Sequence, residues 1–158
     1  MIETEGFKDV LLRFSSLPTD IGVVIRKAIN QSVLMVHATA KRSIERPSGG
    51  RVYKRGKSTK GRGKRARIGA RTEIHIASKP GDAPNKDNGD LIKYLIVSKV
   101  KGNTRKGYSA YVKSLAPYSM DLEYGTNRMA ARPFLRPALA KNAPKIEKLI
   151  FNAVRSQL

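Results

Sequence analysis

The stretch "DIGVVIRKAINQSVLMVHATAKRSIER", residues 20–46, decides the fold of this chain. Its apolar residues recur every three or four positions, which is the spacing of one face of an α-helix. We therefore predict an amphipathic helix of about seven turns. The turn-forming residues "PSGG" at 47–50 end it. The apolar stripe consists of Ile21, Ile25, Ala28, Ile29, Val33, Val36, Ala40 and Ile44.

Two further segments have helical spacing. Downstream, the apolar residues from Leu135 to Val154 predict a C-terminal helix. We expect Pro144 to kink or break that helix, because proline lacks the backbone N–H and clashes with the preceding turn. Upstream, the segment 7–17 ends before Pro18, and its apolar face consists of Phe7, Val10, Leu11, Phe14 and Leu17.

The remaining segments predict short strands and turns. "RVYK" at 51–54 and "EIHIAS" at 73–78 are extended candidates that can pair as the base of a long charged tip. The loop 79–90 leads to Asp90, a suitable N-cap, so "LIKYLIVSKV" at 91–100 predicts one helical turn and then a strand. "KGNTRKG" at 101–107 predicts a hairpin loop, and "YSAYVKSL" at 108–115 the returning strand.

A short helix is predicted over 116–126. Pro117 suits its first turn, and Gly125 permits a left-handed cap at its end. These elements together predict an α+β fold in one domain over 1–158. In it, a long N-terminal helix and a C-terminal helix pack on a small antiparallel sheet. A basic, hairpin-like arm over 51–78 projects from the domain.

Positive charge is concentrated in one part of the chain. The net charge is +20, and residues 41–71 carry thirteen Lys and Arg residues against one acidic residue. Repulsion of this size destabilises a compact state unless a partner neutralises it. A polyanion or an acidic protein surface is therefore the expected partner. Like charges should also keep the tip of the arm extended and mobile in the isolated protein.

Several classes of protein are disfavoured by the composition. The chain has no cysteine, which excludes disulfides, thiolate metal sites and cysteine catalysis. The acidic N-terminal residues do not resemble a signal peptide, and no stretch has the roughly 20 apolar residues that span a membrane. We expect no cofactor.

The sequence does not predict an enzyme. His37 and His75 lie in a predicted helix and strand without a second ligand at metal-binding spacing. Asp82, Asp87 and Asp90 lack the regular spacing of a calcium loop, and turn or capping roles explain them better. Asp121 and Glu123 are two apart on a short helix and face different directions, which disfavours a paired acid and base.

The stretch "YSMDLEYGTNRMAARPFLRPAL" at 118–139 resembles a known family. It is similar to the neck or tail-completion proteins of long-tailed double-stranded DNA bacteriophages, typified by the gene-ten product of an HK-type lambdoid phage. "GRVYKRG" at 50–56 and "HIASKPGDAPNKDNGDL" at 75–91 also fit that family. The motif residues are Tyr118, Glu123, Tyr124, Gly125, Thr126, Ala131, Arg132, Pro133, Phe134, Leu135, Arg136, Pro137, Ala138 and Leu139.

The family motif also has a physical interpretation as a structural corner. Pro133 forces Arg132 into an extended conformation, and Phe134 and Leu135 then enter the core. Pro137 lies where the next helix begins, and Thr126 or Asn127 can satisfy backbone groups at the turn. We expect an ion pair between Arg132 and Glu123 to brace the corner.

The resemblance implies a structural virion protein of the phage neck, assembled in the host cytoplasm. Such proteins form rings, usually hexameric, at the head–tail junction. Their neighbours are connector or head-closure proteins and tail proteins, and genomic double-stranded DNA passes through the lumen. A terminator that caps the tail tube is the alternative within the family. A ribosome-like cellular nucleic-acid-binding protein is the alternative from another class.

Two roles remain open for the basic arm. It contacts DNA phosphates in the lumen, or it lies along a neighbouring subunit or ring. About six phosphate contacts per arm would give a slope near −5 for the logarithm of the binding constant against the logarithm of the salt concentration. Binding of that strength would hinder DNA exit. We therefore favour the protein contact. The predicted contact residues are Arg51, Lys54, Arg55, Lys57, Lys60, Arg62, Lys64, Arg65, Arg67 and Arg71.

Overall fold

The computed structural model describes residues 19–56 and 72–156, and shows the expected α+β fold. Four helices are present in these residues: α1 (Thr19–Glu45), α2 (Asp90–Lys93), α3 (Ser119–Tyr124) and α4 (Leu135–Arg155). The strands are β1 (Val52–Gly56), β2 (Thr72–Ile76), β3 (Leu95–Val97), β4 (Lys101–Asn103), β5 (Gly107–Ser109) and β6 (Val112–Ser114). The helix predicted over 7–17 and the tip of the arm at 57–71 lie outside the described residues.

The long helix α1 confirms the prediction made from its apolar stripe. Seven of the eight stripe residues are buried, and Ile29 is half-buried. Polar residues between them are satisfied within the helix, since the hydroxyls of Ser32 and Thr39 donate to the carbonyls of Ala28 and Met35. The stripe therefore packs as a continuous apolar face without an unpaired hydroxyl group.

The core lies where α1 meets α4 and the strands β3 and β6. Its buried residues come from α1 and from the chain between α2 and α4: Val36, Ala40, Ile44, Leu91, Leu95, Ala116, Phe134, Ala138 and Ile146. At the seam between the helices, the side-chain amide of Asn142 donates to Thr39 Oγ1 at 2.9 Å and to the carbonyl of Ala138 at 2.7 Å. This buried polar link fixes the position of α4 along α1.

Helix α4 runs through Pro144 to Arg155, so proline does not break it. Ala138 and Ile146, one on each side of the proline, are both buried in the core. Packing of the two halves on the same core outweighs the one hydrogen bond that proline removes. Of the two predicted effects of Pro144, the break is therefore wrong, whereas the kink stays a prediction.

Strands β3 to β6 form one long interrupted hairpin. β3 pairs with β6 and β4 pairs with β5, both antiparallel. Between the two ladders, three residues at 98–100 face two at 110–111, which is the arrangement of a β-bulge. The predicted return strand is thus split in two, and the predicted hairpin loop shortens to 104–106. Gly102 has a φ of 111° and lies against Gly107, so a side chain there would collide with the partner strand.

The short helices begin and end differently from the prediction. Gly89 is the N-cap of α2, and Asp90 is its first helical residue. Tyr118 is the N-cap of α3, so Pro117 precedes the helix. Gly125 ends α3 with φ 78° and ψ 177°. The positive φ was expected, but the ψ value is extended and so the residue is not a left-handed helical cap.

Strands β1 and β2 form a separate antiparallel ribbon, as predicted. The register pairs Val52 with Ile76, Lys54 with Ile74 and Gly56 with Thr72. The backbone N–H of Ala77 donates to the carbonyl of Arg51 and extends the pairing by one step. We refer to residues 51–56 and 72–77 as the ribbon.

Candidate functional site

The carboxylate of Glu123 holds the beginning of α4 from the preceding helix. One oxygen accepts the backbone N–H groups of Phe134 at 2.9 Å and Leu135 at 3.0 Å, and the other accepts that of Arg136 at 2.8 Å. The first N–H groups of a helix have no partner within it, and negative charge is favoured there. Glu123 is only 3% exposed. It therefore serves as a buried cap that joins α3 to α4.

Arg136 completes this arrangement on the solvent side. Its Nε lies 3.4 Å from a carboxylate oxygen of Glu123, and its Nη2 donates to the Glu123 carbonyl at 3.0 Å. The guanidinium also lies over the ring of Tyr124, 4.7 Å from its centroid. The charge of the buried carboxylate is thus balanced by a half-exposed arginine that an aromatic ring orients.

The predicted ion pair between Arg132 and Glu123 was wrong. The Nε–H of Arg132 donates to the backbone carbonyl of Ser78 at 3.3 Å, and its backbone N–H donates to the backbone carbonyl of Leu122 at 2.6 Å. Because the three N–H groups of α4 and Arg136 occupy the carboxylate, Glu123 has no role in holding Arg132. Arg132 instead connects the corner to the segment that follows the ribbon.

The other motif residues complete a structural corner. Pro133 precedes Phe134, which is the N-cap of α4 and almost fully buried, whereas Leu135 is half-buried. Pro137 lies in the first helical turn, where its missing N–H is tolerated. Thr126 exchanges backbone hydrogen bonds with Met129, and its hydroxyl accepts the N–H of Arg128. We call residues 118–139 the corner.

Gly125 is required at the corner for two reasons. Its φ of 78° is one that other residues rarely adopt. A Cβ atom there would also come within 2.8 Å of the backbone nitrogen of Ala131 and the carbonyl oxygen of Met129. The chain therefore folds back on itself too tightly for a side chain.

The ribbon is attached to the rest of the domain by polar contacts at its base. The side-chain amide of Asn85 donates to the carbonyls of Ile76 and Ser48, both at 2.8 Å, and its oxygen accepts the N–H of Ser48. Lys79 donates its backbone N–H to the Ser48 hydroxyl. His75 Nδ1 lies 3.4 Å from a carboxylate oxygen of Asp87. The loop 79–90 thus braces the base of the ribbon.

The two faces of the ribbon differ in character. Residues directly opposite each other in an antiparallel pair share a face, so Val52, Ile74 and Ile76 lie together, with Lys54 beside them. Val52 is 55% exposed, Ile74 64% and Ile76 44%. Tyr53 and His75 occupy the other face. We call Val52, Ile74 and Ile76 the apolar ribbon face.

Two of the predicted basic contact residues have described side chains on the ribbon. Arg51 and Lys54 are exposed on the ribbon, and the Arg51 guanidinium lies 5.4 Å from the centroid of the Tyr53 ring. Arg55 belongs to β1. Lys57, Lys60, Arg62, Lys64, Arg65, Arg67 and Arg71 lie outside the described residues.

An exposed aromatic surface, which the sequence reasoning missed, lies on the outer side of the β3–β6 pair. The backbone N–H of Leu115 donates to the carbonyl of Tyr94 at 2.9 Å, so these residues are neighbours across the pair. Partial burial raises the pKa of Tyr118, and the nearby charges of Asp90 and Asp87 and the Tyr94 hydroxyl raise it further. We call Tyr94, Leu115 and Tyr118, with Asp87 and Asp90, the tyrosine surface.

A row of cations follows one side of α4. Lys141, Lys145, Lys148 and Arg155 are all exposed, and their spacing of 4, 3 and 7 positions keeps them on one face of a helix. They extend over about 21 Å. The sequence analysis did not identify this row.

The described part of the chain contains no group of three or more His, Cys, Asp or Glu residues that could hold a metal ion. The His37 Nε2 atom lies 3.3 Å from the carbonyl oxygen of Leu95. No helix in residues 19–56 and 72–156 is long and apolar enough to cross a membrane.

Comparison of the chain with models of known protein families, with curated proteins and with solved structures gives no match.

Proposed function

We propose that this chain is a structural protein of a bacteriophage neck. It forms a ring at the head–tail junction, joins or completes the tail, and lets DNA pass through its lumen. The resemblance of residues 118–139 to neck and tail-completion proteins supports this role. The corner itself has a structural purpose, because Glu123 and Arg136 use their polar groups within the chain.

The observation that carries the proposal is the ribbon. It stands apart from the core, is attached at its base by polar contacts, and exposes apolar side chains next to cations. Isolated two-stranded hairpins are marginally stable in water. A chain that retains such an element, and that continues it into a segment of seven cations without an acid, is suited to assembly with other molecules.

The cationic row on α4 supplies a surface for DNA. Contacts with phosphates are independent of sequence and weaken with salt, which suits a channel through which a genome moves. Four cations on one helix face bind DNA more weakly than the full basic arm would. We therefore assign DNA binding to the cations of α4 and protein contacts to the basic arm.

The same row on α4 favours the second candidate, a cellular nucleic-acid-binding protein. The two candidates differ in what the isolated chain does. A cellular nucleic-acid-binding protein binds DNA or RNA as a monomer. Replacing Lys141, Lys145 and Lys148 with Gln would then reduce the salt slope of that binding by about 2.7. A neck protein binds DNA strongly only as a ring.

Electron microscopy of the purified chain and of particles assembled with it tests the proposal. We expect rings with a central channel in the first case, and density for the chain between the portal and the tail tube in the second. A chain that stays solitary at every stage of assembly would contradict the neck role. Density at the upper end of the tail tube, below a separate completion ring, would identify a terminator instead.

The register of the ribbon allows the tip of the arm at 57–71 to be removed while the ribbon is kept. Gly56 and Thr72 pair directly, so an Asn-Gly turn can replace residues 57–71 and still close a hairpin. A matched variant keeps the segment length and changes its seven cations to Gln or Ser. We expect both variants to fold and to fail in forming joined particles. Intact, infectious particles from both would contradict the assembly role of the arm.

A further inference from the structure

The apolar ribbon face needs a cover that residues 19–56 and 72–156 of its own chain do not provide. Val52, Ile74 and Ile76 are 44–64% exposed. Three neighbouring β-branched or aliphatic side chains on one face of a two-stranded ribbon give it little stability without a packing partner. A partner molecule that covers this face would stabilise the ribbon and bury its side chains together.

The tyrosine surface of the same chain is poorly placed to cover this face. Its Asp87 contacts His75, which lies on the opposite face of the ribbon from Ile74 and Ile76.

The tyrosine surface has the chemistry to receive a ribbon from another molecule. Tyr94, Leu115 and Tyr118 offer rings and an aliphatic side chain that are 41–53% exposed. Aromatic and β-branched residues pack well across sheets. Asp87 and Asp90, also exposed, lie beside Tyr118. Their negative charge matches the positive charge of Lys54, which shares a face of the ribbon with Ile74, and such charge complementarity selects one partner over another.

We propose that the ribbon of one copy of this chain packs its apolar face on the tyrosine surface of the next copy. The two surfaces are different parts of the chain, so the contact is heterologous and, when the rotation closes, it generates a ring. This inference rests on the proposed function, since it names the neighbour contact within the ring. It assigns the ribbon to a second copy of the chain, and DNA has no part in the contact.

Cross-linking between single-cysteine variants tests the contact directly, because the natural chain has no cysteine. Chains with Ile74→Cys and chains with Leu115→Cys carry different tags and are mixed with a short bis-maleimide. The control partner is Phe151→Cys, which is as exposed as Ile74 at 64% and lies on α4. We expect a mixed product with Leu115→Cys at least about fivefold above that with Phe151→Cys, the ratio for about 1 kcal/mol of specific contact.

Every other result of this experiment overturns the proposal. Equal coupling to both partners means unspecific collision. Coupling of Ile74→Cys mainly to itself means that two ribbons meet face to face. An internal cross-link in a chain that carries both Ile74→Cys and Leu115→Cys, without a mixed product between the single variants, means that the ribbon folds onto its own chain. Absence of a mixed product at concentrations where rings form means that the ring uses other surfaces.

Charge reversal checks the same contact independently of the linker. Lys54→Glu on the Ile74→Cys chain, or Asp90→Lys on the Leu115→Cys chain, should each lower the mixed product. Combining the two reversed chains should restore it, since the opposite charges then meet again. Failure to restore it overturns the proposed pairing of charges. These experiments use only the purified chain, so they stand or fall separately from its place in the neck.

Discussion

The corner and the ribbon use polar and apolar groups in opposite ways. At the corner, a carboxylate that is 3% exposed satisfies three backbone N–H groups and an arginine. In the ribbon, three apolar side chains face solvent and the polar contacts are at the base. The corner therefore fixes the fold by pairing its polar groups within the chain. The ribbon instead needs a second molecule to cover its apolar side chains. Substitutions in the two regions should affect different measurements.

The largest effect on stability is expected at Glu123. Glu123→Ala leaves the first N–H groups of α4 without their acceptor, and we expect a loss of about 3–5 kcal/mol in the free energy of unfolding. Glu123→Gln retains an acceptor oxygen and should lose about half as much. Urea denaturation followed by circular dichroism measures both. The exposed Asp121→Ala on the same short helix should change stability by no more than about 0.5 kcal/mol, and an equal loss there would contradict the capping role.

Gly125 should show the next largest effect. Gly125→Ala places a Cβ atom 2.8 Å from two backbone atoms at a positive φ, and we expect a loss of about 1–3 kcal/mol. Gly49→Ala is the matched control, because a Cβ atom at Gly49 meets nothing within 4 Å. Thermal denaturation of the two variants compares them. Equal melting temperatures would show that the corner relaxes easily and does not fix the fold.

The outer half of the corner should contribute less. Arg136→Lys removes the fork that reaches both the Glu123 carbonyl and the Tyr124 ring, and we expect a loss of about 1 kcal/mol because the site is half exposed. A double-mutant cycle with Tyr124→Leu isolates the ring contact. The two losses should be less than additive. Strict additivity would mean that the ring does not orient Arg136.

The smallest effect concerns the tyrosine surface and pH. Because the pKa of Tyr118 is raised in the folded chain, chiefly by burial, the folded state holds this proton more tightly than the unfolded state. The resulting stability is complete below the ordinary tyrosine pKa and is lost as the pH rises through the raised value. Tyr118→Phe should therefore flatten the fall in stability above about pH 10. Denaturation at pH 8 and pH 11 tests this, and an unchanged fall would contradict it.

The sequence predicts the elements that local patterns control. The stripe from Ile21 to Ile44 gives α1 because burial follows the helical period. The alternation in "RVYK" and "EIHIAS" gives the ribbon, since both segments have the strand period. Interactions between distant residues were harder to predict. The charges of Glu123 and Arg132 suggested a pair, but the sequence does not show that backbone N–H groups at 134–136 occupy the carboxylate first.

The candidate surfaces were predictable only in part. The local excess of Lys and Arg is evident in the sequence, so Arg51 and Lys54 could be named as contact residues. The tyrosine surface combines residues from the loop 79–90, the β3–β6 pair and the segment before α3. A shift of one residue at the bulge decides which side chains share its outer face. Such a shift has no signature in the sequence.

Hydrogen exchange of the backbone amides in dilute monomer and in assembled rings tests the central contrast most directly. We expect amides at 134–136 to be protected in both states. We expect the amides of the β1–β2 ladder to exchange rapidly in the monomer and to become protected in the ring. Ribbon amides as well protected in the monomer as those at 134–136 would contradict this expectation, because the ribbon would then be complete without a second copy.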